Sequence, residues 1–360
     1  MQRALMLDLY TDHLLSCSGI ASATSLSSVS CGSVSHDSVT NFLSSNVYSS
    51  KDLWLHVKPL IRKAESTDGV LIVDDTIEEK PYTDENDIVC WHYDHSKNRS
   101  LKGINLVNML VNYDSYAFPV AYEIVKKTDK YIDPKDGKEK RRSDKTKNAM
   151  FLDMFDASIA NQIKFKYVLA DIWFSSNDNM EHIKIKKERD FIFGIKGNRT
   201  VALSLTDKLN GKFQSLSSLQ LDDDTTALVY IKGLDFPVLV SKKIFINEDG
   251  SEGILYLVTS DLRLDGKKMY KIYQKRWKIE EYHKSLKQNA ALARSPTKTV
   301  RTQSNHIFAS IYAFCKLQVV AGQESMNHFA IRAKLLLEAN KIAFREWIKL
   351  KTKKNGLSTA

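Results

Sequence analysis

The sequence predicts an α/β protein in which a mixed central sheet, flanked by helices, is interrupted by an all-β insertion and preceded by a small helical module. Three observations carry this reading. Residues 69–75 (Gly-Val-Leu-Ile-Val-Asp-Asp) form an apolar run ending in two carboxylates, as a strand buried on both faces does. A hairpin, a helical segment and another short strand follow, the order of a mixed α/β domain. From Thr200 to Ser260 the pattern changes to short strands separated by turn signals.

Composition bounds the function classes. The chain has 360 residues, 53 Lys+Arg against 43 Asp+Glu, and 43% hydrophobic residues, so it is globular rather than disordered. Cys17, Cys31, Cys90 and Cys315 contain no C-x-x-C pair, which argues against a disulfide framework or a cysteine zinc site and fits a reducing cytosol. The apolar stretch from Ala4 to Leu15 is broken by Asp8 and Asp12, and that from Ile307 to Val320 is short and carries Lys316, so no membrane role is expected.

Each segment has its own signature. Residues 1–66 are serine-rich yet keep apolar anchors, and Ser35 to Leu43 begins with cap-type residues and turns apolar. This predicts a helical N-terminal module, which either grips DNA as a helix-turn-helix does or packs on its neighbours. Residues 67–199 hold the strand at 69–75, a hairpin from Ile104–Val111 and Ala117–Ile124, helical spacing from Ala149 to Ile163, and strands at Phe165–Asp171 and Phe191–Ile195. The basic run from Lys126 to Lys147 reads as a solvated loop. Residues 200–261 make the β insertion, with strands expected at 227–231, 236–240, 243–246 and 253–258. Residues 262–320 return to helical patterning, and residues 321–360 form a helical tail.

The chemistry-bearing residues are acidic and basic. Asp74, Asp75 and Asp171 end apolar strands, at the edge of an α/β sheet where ligand sites lie, and carboxylates suit hard divalent cations. Between Arg263 and Arg301 stand twelve Lys/Arg against three Asp/Glu, interleaved with aromatics, which is a nucleic-acid footprint. Within it Tyr273, Arg276, Glu280, Lys284 and Lys287 fall on one face of an assumed single helix, while Ile279, Tyr282 and Leu286 fall on another.

The run Tyr273-Gln-Lys-Arg-Trp-Lys-Ile-Glu-Glu-Tyr-His-Lys-Ser-Leu-Lys287 resembles the Y-x2-R-x3-E-x6-K signature of bacterial insertion-sequence transposases of family four, which have a DDE active site. Val73-Asp-Asp-Thr76 is similar to that family's first-aspartate strand and Asp171-Ile-Trp-Phe174 to its second-aspartate motif; the resemblance covers roughly residues 67–320. It implies a ribonuclease H-like catalytic domain that cuts the ends of a mobile element and joins them to target DNA. By the same resemblance Asp75, Asp171 and Glu280 hold two Mg²⁺ ions, for which Mn²⁺ can substitute, and Tyr273, Arg276 and Lys287 grip phosphates. Asp74 is the alternative ligand; Asp75 is preferred to it because Asp75 directly precedes Thr76. The implied partners are double-stranded DNA, as terminal inverted repeats and target, and a second copy of the chain on DNA in the bacterial nucleoid. Hairpin ends are one excision route, with Tyr230 or Tyr256 left to stack a flipped base, since residues 200–260 contain no Trp.

Lys284 extends the basic face, and Lys196 and Arg199 are further candidate DNA contacts. His92 and His95 could suggest a zinc pair, but no further ligand completes it and a loop near the site is preferred. Trp173 and Trp277 are expected in the core. Two rivals remain: a nuclease of the same fold without strand transfer, and a retired transposase kept as a DNA-binding regulator.

Overall fold

The computed structural model describes residues 3–94, 97–114 and 116–355. In chain order come helices α1 (Arg3–Ser16), α2 (Ala23–Val29), α3 (His36–Ser45) and α4 (Ser50–Ala64), then strands β1 (Val70–Glu79), β2 (Cys90–Asp94), β3 (Arg99–Tyr113) and β4 (Tyr116–Ile124). They are followed by β5 (Asp129–Ile132), β6 (Glu139–Arg142), α5 (Lys147–Ala160), β7 (Tyr167–Ala170), α6 (Asn177–Glu181) and β8 (Asp190–Ile195). Next are β9 (Thr200–Ala202), α7 (Leu205–Leu209), β10 (Gln214–Ser215), β11 (Thr226–Ile231), β12 (Val238–Ile246) and β13 (Glu252–Thr259). The chain closes with α8 (Gly266–Tyr273), α9 (Trp277–Gln288), α10 (Val300–Glu324) and α11 (His328–Asn355). Two compact units result, one running from Ser49 to Tyr282 and the other comprising the chain up to Tyr48 and from His283 onward.

The sheet unit has a ribonuclease H-like core. Its strands run β4-β3-β1-β7-β8, with β1 antiparallel to β3 and parallel to β7, and β7 parallel to β8. Val70–Val73 and Tyr167–Ala170 are buried, as strands covered on both faces must be. On one face lies α5, whose Ser158 Oγ reaches Met109 of β3; on the other, Tyr282 of α9 donates its hydroxyl to Asn108 Oδ1 at 3.2 Å. Asn108 pairs with Asp74 and Val107 with Asp75, so the two aspartates point to opposite faces.

Three local expectations change. The insertion does not stand apart: β13 pairs with β8 and the order continues β12-β11-β9-β10, which prolongs the core sheet, and the short helix α7 interrupts its strands. Strands expected at 236–240 and 243–246 are one strand, because Ser241 and Lys242 keep the ladder by pairing with Leu257 and Tyr256; polar side chains do not break a strand whose backbone bonds are met. The basic run at 126–147 is not a plain loop but contains the ribbon β5–β6, held by pairs such as Lys130–Glu139 at 3.0 Å and Lys140–Asp136 at 3.0 Å.

The other unit is helical. Helices α1 and α3 pack against α10, where Asn305 Nδ2 donates to the carbonyls of Leu43 and Asn46 at 2.7 Å each, and its Oδ1 accepts from the Tyr48 amide at 3.2 Å. Tyr48 stacks on Phe308 at 4.1 Å, and the Tyr10 hydroxyl meets His306 Nδ1 at 2.9 Å. Ser22 and Ser35 cap α2 and α3, which is how a serine-rich stretch becomes helical. Among the described residues no helix is long and apolar enough to cross a membrane.

Candidate functional site

The site forms where the parallel part of the sheet stops. The last parallel pair is Val73 with Ala170, so Asp74 and Asp171 occupy the next step. Strand β1 does not end there, contrary to the sequence reading: it continues to Glu79 because β3 supplies antiparallel partners as far as Gly103. Asp171 does leave its strand and caps a short turn, its Oδ1 accepting from the Trp173 amide at 2.9 Å.

Carboxylates crowd this edge. Burial and the nearby Asp171 push the Asp74 carboxyl up to about 7, against the pull of Arg276, and Glu280 adds repulsion. Asp171 is raised as well, first by burial and further by Asp75. Arg276 Nη1 lies 3.0 Å from Asp74 Oδ2 and 3.5 Å from Glu280 Oε1, which gathers Asp74, Arg276 and Glu280 into one cluster. On the opposite face Asp75 Oδ2 accepts from Asn105 Nδ2 at 2.9 Å and from Lys147 Nζ at 2.7 Å.

A surplus of buried negative charge that raises its own members' proton affinity is the environment a hard divalent cation relieves, and carboxylates are its preferred donors. The residues therefore fit such an ion by chemistry. As they stand they are not a finished cage, since among the described residues no three His, Cys, Asp or Glu side chains converge tightly enough to hold one.

The predicted phosphate contacts have varied placements. A single helix does not carry them all: α8 ends at Tyr273 and a tight turn over 274–276 precedes α9. The turn therefore separates Tyr273, the last residue of α8, from Glu280, which stands in the first turn of α9. Tyr273 is buried beneath Arg276, whose guanidinium lies 5.9 Å from the ring centroid. Its hydroxyl lies 3.1 Å from where a Cβ on Gly194 of β8 would stand, so a side chain there would have to push the phenol aside by a few tenths of an ångström. Burial holds the Tyr273 phenol up to about 12. Lys284 and Lys287 follow Glu280 along α9 within the helical unit, where Lys284 Nζ lies 5.1 Å from the Phe329 ring centroid.

Lys196 and Arg199 line an open cleft of about 420 Å³ with Ile172, Trp173, Asn198 and Thr200. Lys196 Nζ lies 5.5 Å from the Trp173 ring centroid, within cation–π range. Arg199 donates to the Ser175 carbonyl at 3.2 Å, while its buried Nε has no hydrogen-bond partner among the described residues. Trp173 and Trp277 are 55% and 64% exposed, which corrects their expected burial: Phe174 and Ile279 are buried near them in the chain instead. Neither Tyr230 nor Tyr256 is part of this cleft.

Sequence reasoning missed Lys147 and Asn105. Asn105 had a signal, a polar residue in the apolar run 104–111; Lys147 had none, since its partner Asp75 lies 72 positions away. His92 is buried in β2 with its imidazole held down to about 3, chiefly by burial; His95 lies outside the described residues.

Comparison with known proteins adds one match. The sequence model of the family described as DDE superfamily endonuclease matches residues 1–209. That span contains Asp75 and Asp171 and the N-terminal helices, whereas Glu280 and its Tyr-Arg-Glu-Lys signature lie beyond it. No curated protein matches the chain.

Proposed function

Because this chain belongs to the DDE superfamily endonucleases, we propose that it is a DNA transposase that cleaves the ends of an insertion sequence and joins them to target DNA. Of the two candidate first aspartates, Asp74 lies with Arg276 and Glu280 and next to Asp171, so in this reading Asp74, Asp171 and Glu280 are the catalytic carboxylates and would hold two Mg²⁺ or Mn²⁺ ions, in place of the Asp75, Asp171 and Glu280 set that the resemblance implies. Bound there, the metal supplies Lewis acidity for phosphodiester hydrolysis and transesterification. Asp75 is the fourth carboxylate of the region and bonds Asn105 and Lys147 on the opposite face.

The remaining residues bind and orient DNA. Arg276 offers a planar fork to a phosphate near the cut, and Lys284 and Lys287 add point charges along the duplex. Tyr273 acts from beneath, as the buried plate that fixes the Arg276 guanidinium. The cleft of Trp173, Lys196 and Arg199 adjoins Asp171 through the Ile172–Trp173 turn and receives the strand next to the cut. Both ends must be held together, so the working form is a homodimer on DNA bearing the two inverted repeats.

The observation that carries the reading is the gathering of Asp74, Asp171 and Glu280 near Arg276 at one sheet edge, where burial first and the nearby Asp171 second push Asp74 to about 7, in a chain of this family. The test incubates the purified protein and its Glu280→Ala variant with Mg²⁺ and DNA carrying the sequences that flank its gene. Cleaved and joined products with the wild type alone are expected. Cleavage without joining reduces the function to a nuclease, and binding with neither leaves a regulatory protein.

A further inference from the structure

We propose that the outer edge of the sheet holds a second DNA contact: Trp91 and Tyr93 of β2, with Lys102 of β3, form a platform on which an unpaired strand leading away from the cut stacks two of its bases. The proposal rests on the transposase reading of the carboxylate site, but it concerns residues which that reading does not use.

Strand register puts the platform on the catalytic face. Strand β1 runs past the aspartates to Glu79, its continuation pairs with β3, and β3 pairs in turn with β2 at the edge of the sheet. Trp91 stands opposite Lys102, and Asp74 stands opposite Asn108. Lys102 and Asn108 are six positions apart on β3, an even number with no register shift between them, so Trp91, Lys102 and Asp74 share one face. Tyr93, two positions from Trp91, shares it as well. At about 3.3 Å per residue the platform lies about 20 Å from Asp74 along the strand.

Burial does not account for these aromatics. Cys90 and His92 are the residues of β2 that pack inward, while Trp91 is 54% and Tyr93 49% exposed. Two residues apart on a strand is about 6.8 Å, twice the about 3.4 Å per nucleotide along one strand of a duplex. The two rings therefore suit bases drawn apart in a single strand rather than bases stacked in a double helix, and aromatics presented on a sheet are a recurrent platform for such bases. The Tyr93 hydroxyl donates to Asn98 Oδ1, which holds its ring at the strand end.

The surrounding charge suits phosphate. Neither Lys102 nor Lys127 forms an ion pair among the described residues, and Lys127 Nζ donates to the Trp91 carbonyl at 2.6 Å, beside the platform. The nearby carboxylates have other partners: Glu79 pairs with Lys97, Asp94 Oδ1 accepts from the Lys97 amide at 3.2 Å, and Glu78 lies near Lys80.

The experiment measures, by fluorescence anisotropy, the affinity of the full-length chain for a single strand of about 12 nucleotides and for a duplex of the same length. Every variant is made in a Trp173→Ala parent, so that the cleft beside Asp171 does not take the oligonucleotide instead. Trp91→Ala and Tyr93→Ala should each weaken single-strand binding by about 5- to 150-fold, the effect of losing one stacked base, and duplex binding by less than about twofold. Trp91→Phe, which keeps a ring, should recover most of the affinity. Lys102→Ala should flatten the dependence of log affinity on log salt by about 0.7. Trp347→Ala, which removes a similarly exposed tryptophan from α11, should change neither affinity. A strand carrying 5-iodouracil should photocross-link to the peptide that holds Trp91 and Tyr93. A parent that does not bind the single strand, unchanged single-strand affinity in both alanine variants, or equal losses for strand and duplex overturns the proposal. Cleavage separates the two readings. A chain that binds the strand through Trp91 yet cuts no DNA with Mg²⁺ keeps the platform and loses the transposase, whereas Mg²⁺-dependent cutting with no effect of Trp91→Ala on binding does the reverse.

Discussion

Asp74 and Asp171 stand side by side, one step past the parallel pair Val73 and Ala170, so their carboxylates share one face of the sheet and repel each other. Arg276, 202 positions along the chain from Asp74, supplies the compensating charge. This arrangement couples the stability of the metal-free protein to the groups that perform the chemistry.

Removing Arg276 should therefore cost more than removing a surface cation. Arg276→Gln leaves Asp74 buried beside Asp171 without its partner, a loss of about 3–5 kcal/mol by analogy with other broken buried pairs. Asp74→Asn in the same chain should restore most of that loss. Urea unfolding of the two single variants and the double variant measures it; additive losses would show that the two side chains do not depend on each other.

Glu280→Ala should behave differently. Glu280 is half-buried at the start of α9 and is a proposed metal ligand rather than a phosphate contact. Mg²⁺-dependent cleavage should vanish while DNA affinity at low salt stays within about twofold, because the phosphate-binding cations that dominate affinity are intact. A parallel loss of binding and cleavage would remove Glu280 from the catalytic set.

The sheet unit contains an acid-sensitive element away from the site. Asp261 accepts from the Tyr167 hydroxyl at 2.8 Å and from Arg263 Nε at 2.8 Å, and these bonds, led by Arg263, hold its carboxyl down to about 2. A depressed pKa adds stability above the usual carboxylate value near 4 and loses it as pH falls from there towards 2. Asp261→Asn should thus cost about 1–2 kcal/mol at pH 7, after allowing for solvent around Arg263, and nearly nothing at pH 2. Denaturation midpoints of wild type and variant across that window would show the gap closing; a constant gap would mean that the charge is irrelevant.

Trp173→Ala should barely alter folding, within about 0.5 kcal/mol, since an exposed side chain leaves no cavity. Its effect should fall on DNA. A stacked base is worth about 1–3 kcal/mol, so affinity for single-stranded oligonucleotides should drop by that amount while duplex affinity changes little. Thermal melting with fluorescence anisotropy separates the two effects, and a large drop in melting temperature would return Trp173 to the structural residues.

Local pattern made much of this protein legible. The apolar run before Asp74, the capped serine-rich helix α3 and the amphipathic face of Ile279, Tyr282 and Leu286 are all properties of a few consecutive residues, and each is found in place. The carboxylates and the Tyr-Arg-Glu-Lys types were visible for the same reason: residue identity and spacing are one-dimensional. Tertiary structure decided what depends on partners distant in the chain. Pairing with β3 carries β1 past the aspartates, pairing with β8 draws the insertion into the core sheet, and strand alternation sends Asp74 towards Arg276 and Asp75 towards Lys147. A strand's side chains change face at every residue, so two adjacent aspartates of identical chemistry acquire different neighbours only when the sheet is assembled.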